Sequence, residues 1–387
     1  MSKTPSPSSL YWIDKLIAHK TISSRSNLAL VDEIKAYFHD LGAKTLRTTN
    51  DEGTKANLFI TLPGRSGTKA HGLVLSGHLD VVPVEGQTWS SDPFTMTIKN
   101  SRVYGRGACD MKGFVGVILG MAPNIAANPP AFPVHFALSF DEELGCLGAP
   151  LMIQDFIAKG YRPRACIVGE PTGMEPVVAH KASRVYNCHV HGKPCHSSQP
   201  QVGVNAVIYA SKIIAFLHDL SVDLRLRETQ DASFTPPYGT LVVGTIKGGV
   251  SANTVPEFCT FSFILRTLPT TDIGKFEDKI RDYIATDVIP EMQREHATAF
   301  VTLERSAAVP AMREQISDAT KSLMAVLQTT QTGHVSYGTE AGLFQASSIP
   351  TLVCGPGSIL QAHKPDEYVE LQQLALCEEW LHNIVYP

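Results

Sequence analysis

Residues 73–83 read LVLSGHLDVVP. An apolar run over Leu73–Ser76 predicts a buried strand that delivers His78 and Asp80 at its carboxyl end. The construction recurs. FALSFDEELG (136–145) ends in Asp141, Glu142 and Glu143, and CIVGEP (166–171) ends in Glu170. TLVCGPG (351–357) is followed by His363 in QAHKPDEY, and Asp110 in GRGACDMKG stands just ahead of a helical stretch, where an N-cap carboxylate belongs. In open α/β sheets, ligands bind beyond the carboxyl ends of the strands. The pattern therefore predicts two histidines and several acids along one edge of one sheet.

Working outward, residues 10–20 and 28–41 read as amphipathic helices. Asn57–Leu62, Val134–Ser139 and Ala165–Val168 join Leu73–Ser76 as strands, and Lys112–Met121 is helical. This alternation predicts an α/β domain with a mostly parallel central sheet. From residue 182 the order becomes strand Arg184–Val190, helix Gly203–Leu220, strands Leu241–Ile246 and Phe258–Leu265, helix Thr271–Ala285 and strand Ala299–Leu303. That βαββαβ order is the ferredoxin-like split unit. The α/β rhythm resumes with helix Glu314–Thr329 and strand Thr351–Cys354. The expected organisation is a catalytic domain of residues 1–181 and 307–387 with a second domain, 182–306, inserted.

Composition excludes several classes. The chain has 387 residues, 43% hydrophobic and 18% charged, with a net charge of −4. It lacks the basic cluster of a nucleic-acid binder and any apolar run long enough to span a bilayer. The longest apolar stretch is broken at Gly113, Gly116 and Gly120. No G-x-S-x-G marks a serine hydrolase. The N-terminus carries no apolar secretory core, and eight cysteines scatter without paired spacing, so a reducing cytoplasm is expected.

Each candidate residue alone has an ordinary reading: a core histidine, a solvated acidic loop, a helix cap. Their joint placement does not, because acids directly after buried strands cost stability unless neutralised. Two metal ions are the economical neutraliser. Imidazole and carboxylate suit Zn²⁺, with Co²⁺ or Mn²⁺ possible. With His78, Asp110, Glu143, Glu170 and His363 as ligands, Asp110 bridges and each ion receives one histidine and one further carboxylate. Asp80 then orients the His78 ring, and Glu142 is the general base. Cys109, beside Asp110, reads as a small buried hydrophobe.

Taken together, SGHLDVVP, GRGACDMKGF, SFDEELGCLGA, IVGEPT and QAHKPDEY resemble the M20 metallopeptidase family over nearly the whole chain. The resemblance implies a zinc-peptidase-like catalytic domain with an inserted ferredoxin-like lid and dimerisation domain. It implies two zinc ions, for which cobalt may substitute: His78, Asp110 and Glu170 on one, His363, Asp110 and Glu143 on the other, with Glu142 as base and Asp80 supporting His78. GKPCHSS matches a motif whose histidine, here His196, polarises the substrate carbonyl and often comes from the partner subunit, so a homodimer is expected. Asn253 in GGVSANTVP and Arg266 in FSFILR match positions that bind the substrate carboxylate, to which guanidinium pairs as a fork. SYGTEAGLFQ, CGPGSILQAHKPDEY, EPTGMEPVVAHK and FTPPYGTLVVGTIKGG resemble the branch that deacetylates N-acetylornithine in arginine biosynthesis. Glu340 would then face the distal amino group. The segment AHKASRVY departs from the pattern, with Ala182 after the lysine where relatives carry glycine. The implied partner is a small N-acyl amino acid, with neither nucleic acid nor membrane. Competing readings are another family member's substrate (a different N-acyl amino acid, N-succinyl-diaminopimelate, a dipeptide or a carboxypeptidase substrate) and a non-catalytic metal-binding scaffold.

Overall fold

Leu73–His78 is a fully buried strand near the middle of an eight-stranded sheet. The computed structural model describes residues 4–65, 67, 70–327 and 331–387. The chain divides into two compact units: 1–179, 312–334 and 339–387 in the first, 180–311 and 335–338 in the second.

The large sheet runs in the order Lys44–Thr49, Ala56–Leu62, Val134–Ser139, Leu73–His78, Ala165–Val168, Thr351–Val353, Val177–His180, Gly333–Val335. Its middle is parallel: Val134–Ser139, Leu73–His78, Ala165–Val168 and Thr351–Val353 pair in one direction. Flanking pairs are antiparallel, which makes the sheet mixed at its margins. The parallel strands are buried throughout, as continuous apolar runs require. Helices Pro7–Ala18, Leu28–Asp40, Lys112–Ala127 and Leu371–Val385 contribute to the same apolar core.

The glycines that interrupt the apolar run have a packing reason. A Cβ on Gly116 would lie 2.3 Å from Ile13 Cγ1, and one on Gly120 would lie 2.6 Å from the Ser9 amide nitrogen. Helix Pro7–Ala18 thus sits backbone-close on helix Lys112–Ala127. The latter outruns the expected Met121 end and passes through Pro123. Proline supplies no N–H to the carbonyl of Leu119 four residues back. The Tyr37 hydroxyl donates to that carbonyl instead, at 3.0 Å, so the acceptor is satisfied and the helix continues.

The second unit holds a four-stranded antiparallel sheet in the order Thr240–Gly248, Phe258–Thr267, Ala182–His191, Phe300–Val309. With helices Ala206–Leu226 and Ile273–Tyr283 in the connections, this is the ferredoxin-like order. Strand Phe258–Thr267 alternates buried and exposed positions over most of its length, the mark of a half-buried sheet. Tyr186, Phe263, Ile213, Leu217, Phe276 and Ile280 share its core. The unit is longer than residues 182–306 because strand Phe300–Val309 stays paired as far as Ser183, and residues 335–338 join it. Helix Asp318–Val326 is shorter than the expected 314–329, starting at the Ser317 cap; positions 328 and 329 lie outside the described residues. Among the described residues, no helix is long and apolar enough to cross a membrane.

Gly120→Val should overpack the helix pair and cost about 1–3 kcal/mol, read as a lowered urea midpoint with an unchanged slope. A midpoint equal to that of the unsubstituted protein would show that the contact relaxes freely.

Candidate metal centre

The parallel strands aim their carboxyl ends at one place in the first unit. His78 is the last residue of its strand, and Glu170 stands two residues beyond Val168. Asp141–Glu143 follow the strand that ends at Ser139, and Asp110 and His363 arrive on loops. The buried His78 ring places Nδ1 2.9 Å from the main-chain oxygen of Asp80. That oxygen only accepts, so Nδ1 carries the proton and Nε2 keeps the lone pair that could meet a metal ion. Nε2 lies 3.0 Å from Asp110 Oδ1 and 3.8 Å from Glu170 Oε1. The other oxygen of Asp110 lies 3.4 Å from His363 Nε2, which is 3.0 Å from Glu143 Oε2.

Two donor triads result, His78–Asp110–Glu170 and Asp110–Glu143–His363, each with its atoms within 4.8 Å of one another. Asp110 belongs to both and turns one oxygen to each histidine. Tetrahedral ligands at about 2.0–2.1 Å from zinc stand about 3.3 Å apart, and the observed separations bracket that spacing. The residues therefore fit divalent cations of the zinc type.

Electrostatics agree with the geometry. Burial pushes the Glu142 and Glu170 carboxyls well up, and Asp110 adds to the rise in both. Burial and Asp110 raise Glu143 to about 7. Asp110 goes the other way: burial opposes its charge, but hydrogen bonds from His363 and His78 hold it well below the usual carboxylate range. For His78, burial opposes protonation, yet Asp110, Glu142 and Glu170 lift it well above its ordinary value.

Several expectations are corrected. Asp110 is not a helix cap; the cap position is Met111, and the Asp110 carboxylate faces the histidines. Asp80 holds His78 through its main-chain oxygen. Its carboxylate, 3.6 Å from Nδ1, instead accepts from Ser23 Oγ at 2.7 Å and from the amides of Glu142 at 3.1 Å and Glu143 at 3.3 Å. It thereby fixes the turn that carries both glutamates. Glu340, expected to face a substrate amino group, is 1% exposed, and its two oxygens accept from the hydroxyls of Ser76 and Ser139. Cys109, by contrast, is packed as expected, with its thiol donating to Ser358 O at 3.3 Å and burial pushing its pKa far up.

Residues outside the expected set complete the centre. Lys55 pairs with both oxygens of Asp141, at 2.6 and 2.7 Å, and donates to the main-chain oxygen of Ser23. This holds Asp141 at a φ of +53°, a left-handed conformation uncommon outside glycine. Arg106 and Glu367 form an ion pair of 2.6 Å, each 1% exposed. Both lie inside quoted motifs, so a signal was present; Lys55 offered none.

In the second unit, His196 and Asn253 are exposed neighbours: the Ser197 amide donates to Asn253 O at 3.0 Å, and His196 pairs with Thr254. Arg266 is part-buried, burial lowers its pKa, and its Nε meets no hydrogen-bond partner among the described residues. It pairs in register with Ser183, whereas Asn253 belongs to the end where Phe258 pairs with His191. Those ends are eight strand positions apart, about 26 Å at the rise of a β-strand.

The family model for Peptidase family M20/M25/M40 matches residues 74–386. An acetylornithine deacetylase of Salmonella arizonae is 33% identical over 377 residues, spanning 96% of this chain and 95% of its own. One from Buchnera aphidicola is 32% identical over 362 residues, spanning 94% and 91%. Among solved structures, an M20 family metallo-carboxypeptidase from Sulfolobus solfataricus superposes with a TM-score of 0.76 at 18% identity, covering 99% of this chain and 100% of its own. A dinuclear metal binding peptidase from the M20 family of Bacillus subtilis gives 0.65 at 13%, covering 97% and 96%.

Without bound cations the centre should lose stability as pH rises. Glu143, raised from 4.5 to about 7, contributes fully below pH 4.5, and that contribution is lost as pH climbs through 7. His363, which Asp110 and Glu143 hold up at about 10, acts the same way from 6.5 to 10. Urea denaturation of chelator-treated protein should show a progressive loss of stability between about pH 5 and 9, which added Zn²⁺ reverses. A flat profile would refute the charge assignment.

Proposed function

The chain belongs to peptidase family M20/M25/M40, and we propose that it hydrolyses the amide bond of an N-acyl amino acid, N-acetyl-L-ornithine before others, giving L-ornithine and acetate in arginine biosynthesis. The observation that carries the reaction class is the Asp110 carboxylate shared between two His-carboxylate triads with Glu142 beside them. The named relatives support the substrate.

In this reading His78, Asp110 and Glu170 hold one zinc, and Asp110, Glu143 and His363 the other, with cobalt able to substitute. Bound there, the ions supply Lewis acidity to the amide carbonyl and acidify the attacking water. Glu142 takes the proton of that water as its oxygen bonds to the acyl carbon. It then gives the proton to the amine nitrogen as the C–N bond breaks. Its raised pKa suits a group that must both accept and donate near neutral pH. Arg266, a half-buried cation without an acidic partner among the described residues, receives the substrate carboxylate. His196 donates to the carbonyl oxygen as charge develops, with Asn253 beside it.

His196 and Asn253 act on the partner copy's substrate, so the working form is a homodimer. Edge strand Thr240–Gly248 supports this, with Val242 53% and Ile246 57% exposed. The compartment is the cytoplasm, in keeping with eight free cysteines, seven of them buried.

Amine release should be strong from N-acetylornithine with zinc-loaded enzyme, weaker from N-acetylcitrulline, N-acetylmethionine and N-succinyl-diaminopimelate, and absent after chelation. Preference for another panel member moves the substrate; no release from any, with metal bound, sinks the assignment. Glu142→Ala should lower kcat by about 10²–10⁴-fold while metal content stays unchanged. Mixing inactive His196→Ala and Arg266→Ala chains should restore about a quarter of the activity, since each mixed dimer keeps one intact site. No restoration would place both residues in one chain's site.

A further inference from the structure

The two triads are supported in different ways. His78 lies within the sheet, paired in register with Ser139, and Glu170 stands just past a buried strand. His363 belongs to an irregular segment with its side chain 52% exposed, at a φ of +64°. Nothing in regular secondary structure fixes its distance from Asp110. A network of side chains does.

The Gln87 amide donates to His363 O at 2.8 Å. Arg106 Nη2 donates to Gln87 Oε1 at 2.5 Å, and its Nη1 to Lys364 O at 3.3 Å. Nη1 also donates to Glu367 Oε2 at 2.6 Å, and that oxygen accepts from the Gly107 amide at 3.1 Å. The other oxygen of Glu367 accepts from the amides of Cys109 at 2.9 Å and Asp110 at 3.0 Å. The Trp89 ring lies 5.0 Å from the Arg106 guanidinium, and its Nε1–H donates to Gln87 Oε1 at 3.1 Å. Four donors therefore meet one buried carboxylate, and a single guanidinium spans the His363 loop and the Asp110 loop. A buried pair of this kind adds little net stability, since desolvation offsets its attraction. What it contributes is a fixed geometry, because charge-assisted bonds are short and directional.

We propose that Arg106, Glu367 and Gln87 are positioning residues that set His363 relative to Asp110, and so determine how tightly the Asp110–Glu143–His363 triad holds its cation. The inference rests on the two-cation reading above. The distinctive claim concerns the two histidines: the clamp sets His363 against the shared Asp110, and the sheet sets His78.

Co²⁺ titration of metal-stripped protein, followed by calorimetry and the visible spectrum, tests it. The unsubstituted protein should show two binding events. His363→Ala and Glu170→Ala identify which event belongs to which triad. Gln87→Ala, at a half-buried position, should weaken the His363 event by about 10–100-fold and leave the other within about twofold. Glu367→Gln, whose carboxylate also holds the Asp110 amide, should weaken both events, the His363 event more. Thermal melts of the metal-free variants report folding. Equal weakening of both events by Gln87→Ala, or of neither, overturns the clamp. Fewer than two events in the unsubstituted protein overturns the two-cation reading itself, and the clamp with it.

Discussion

Repulsion among carboxylates withdrawn from water is the constraint around which the first unit is arranged. Asp80, Asp110, Asp141, Glu142, Glu143, Glu170 and Glu340 gather at the ends of the parallel strands, and the protein answers some of them itself. Lys55 neutralises Asp141, main-chain amides and Ser23 satisfy Asp80, and two serine hydroxyls satisfy Glu340. Of the rest, Asp110, Glu143 and Glu170 face His78 and His363, and Glu142 accepts from the Cys146 thiol at 3.4 Å. Buried like charges of this number need positive charge from elsewhere. The geometry admits it at two points that share Asp110. Stability has been given up locally so that binding energy can be recovered there.

How much of this was legible in the sequence depends on the range of the interaction. Strands Val134–Ser139 and Ala165–Val168 match their expected bounds because a continuous apolar run between turn residues leaves few alternatives. The second unit was equally plain from its βαββαβ order of elements. Strand Lys44–Thr49, a margin strand without a buried residue, gave no such signal. Nor did the short sheet of Thr97–Lys99, Arg102–Tyr104 and Tyr368–Glu370.

In the centre, residue types and their order along the chain pointed to residues that the fold brings together, but not to how each is held. Asp80 acts on His78 through its backbone, a role no side-chain pattern encodes. Glu340 reaches across 264 positions to Ser76, and Lys55 across 86 to Asp141. Such pairs arise only when the sheet brings distant loops together, so local reading had no access to them. The separation of Arg266 from Asn253 was likewise hidden. Each sits in a recognisable motif, and only the antiparallel register shows that the motifs end up far apart.

That register makes strand Phe258–Thr267 a spacer between the end near Asn253 and the end that carries Arg266. Side-chain alternation has a period of two, so lengthening the paired strands together by two residues would leave every inward residue inward. The same lengthening would move one end relative to the other by about 7 Å. The fold is indifferent to a change that any assembly engaging both ends must reject. Strand length in the second unit should therefore be conserved more stringently across evolution than the identity of its residues, with insertions confined to the connecting loops.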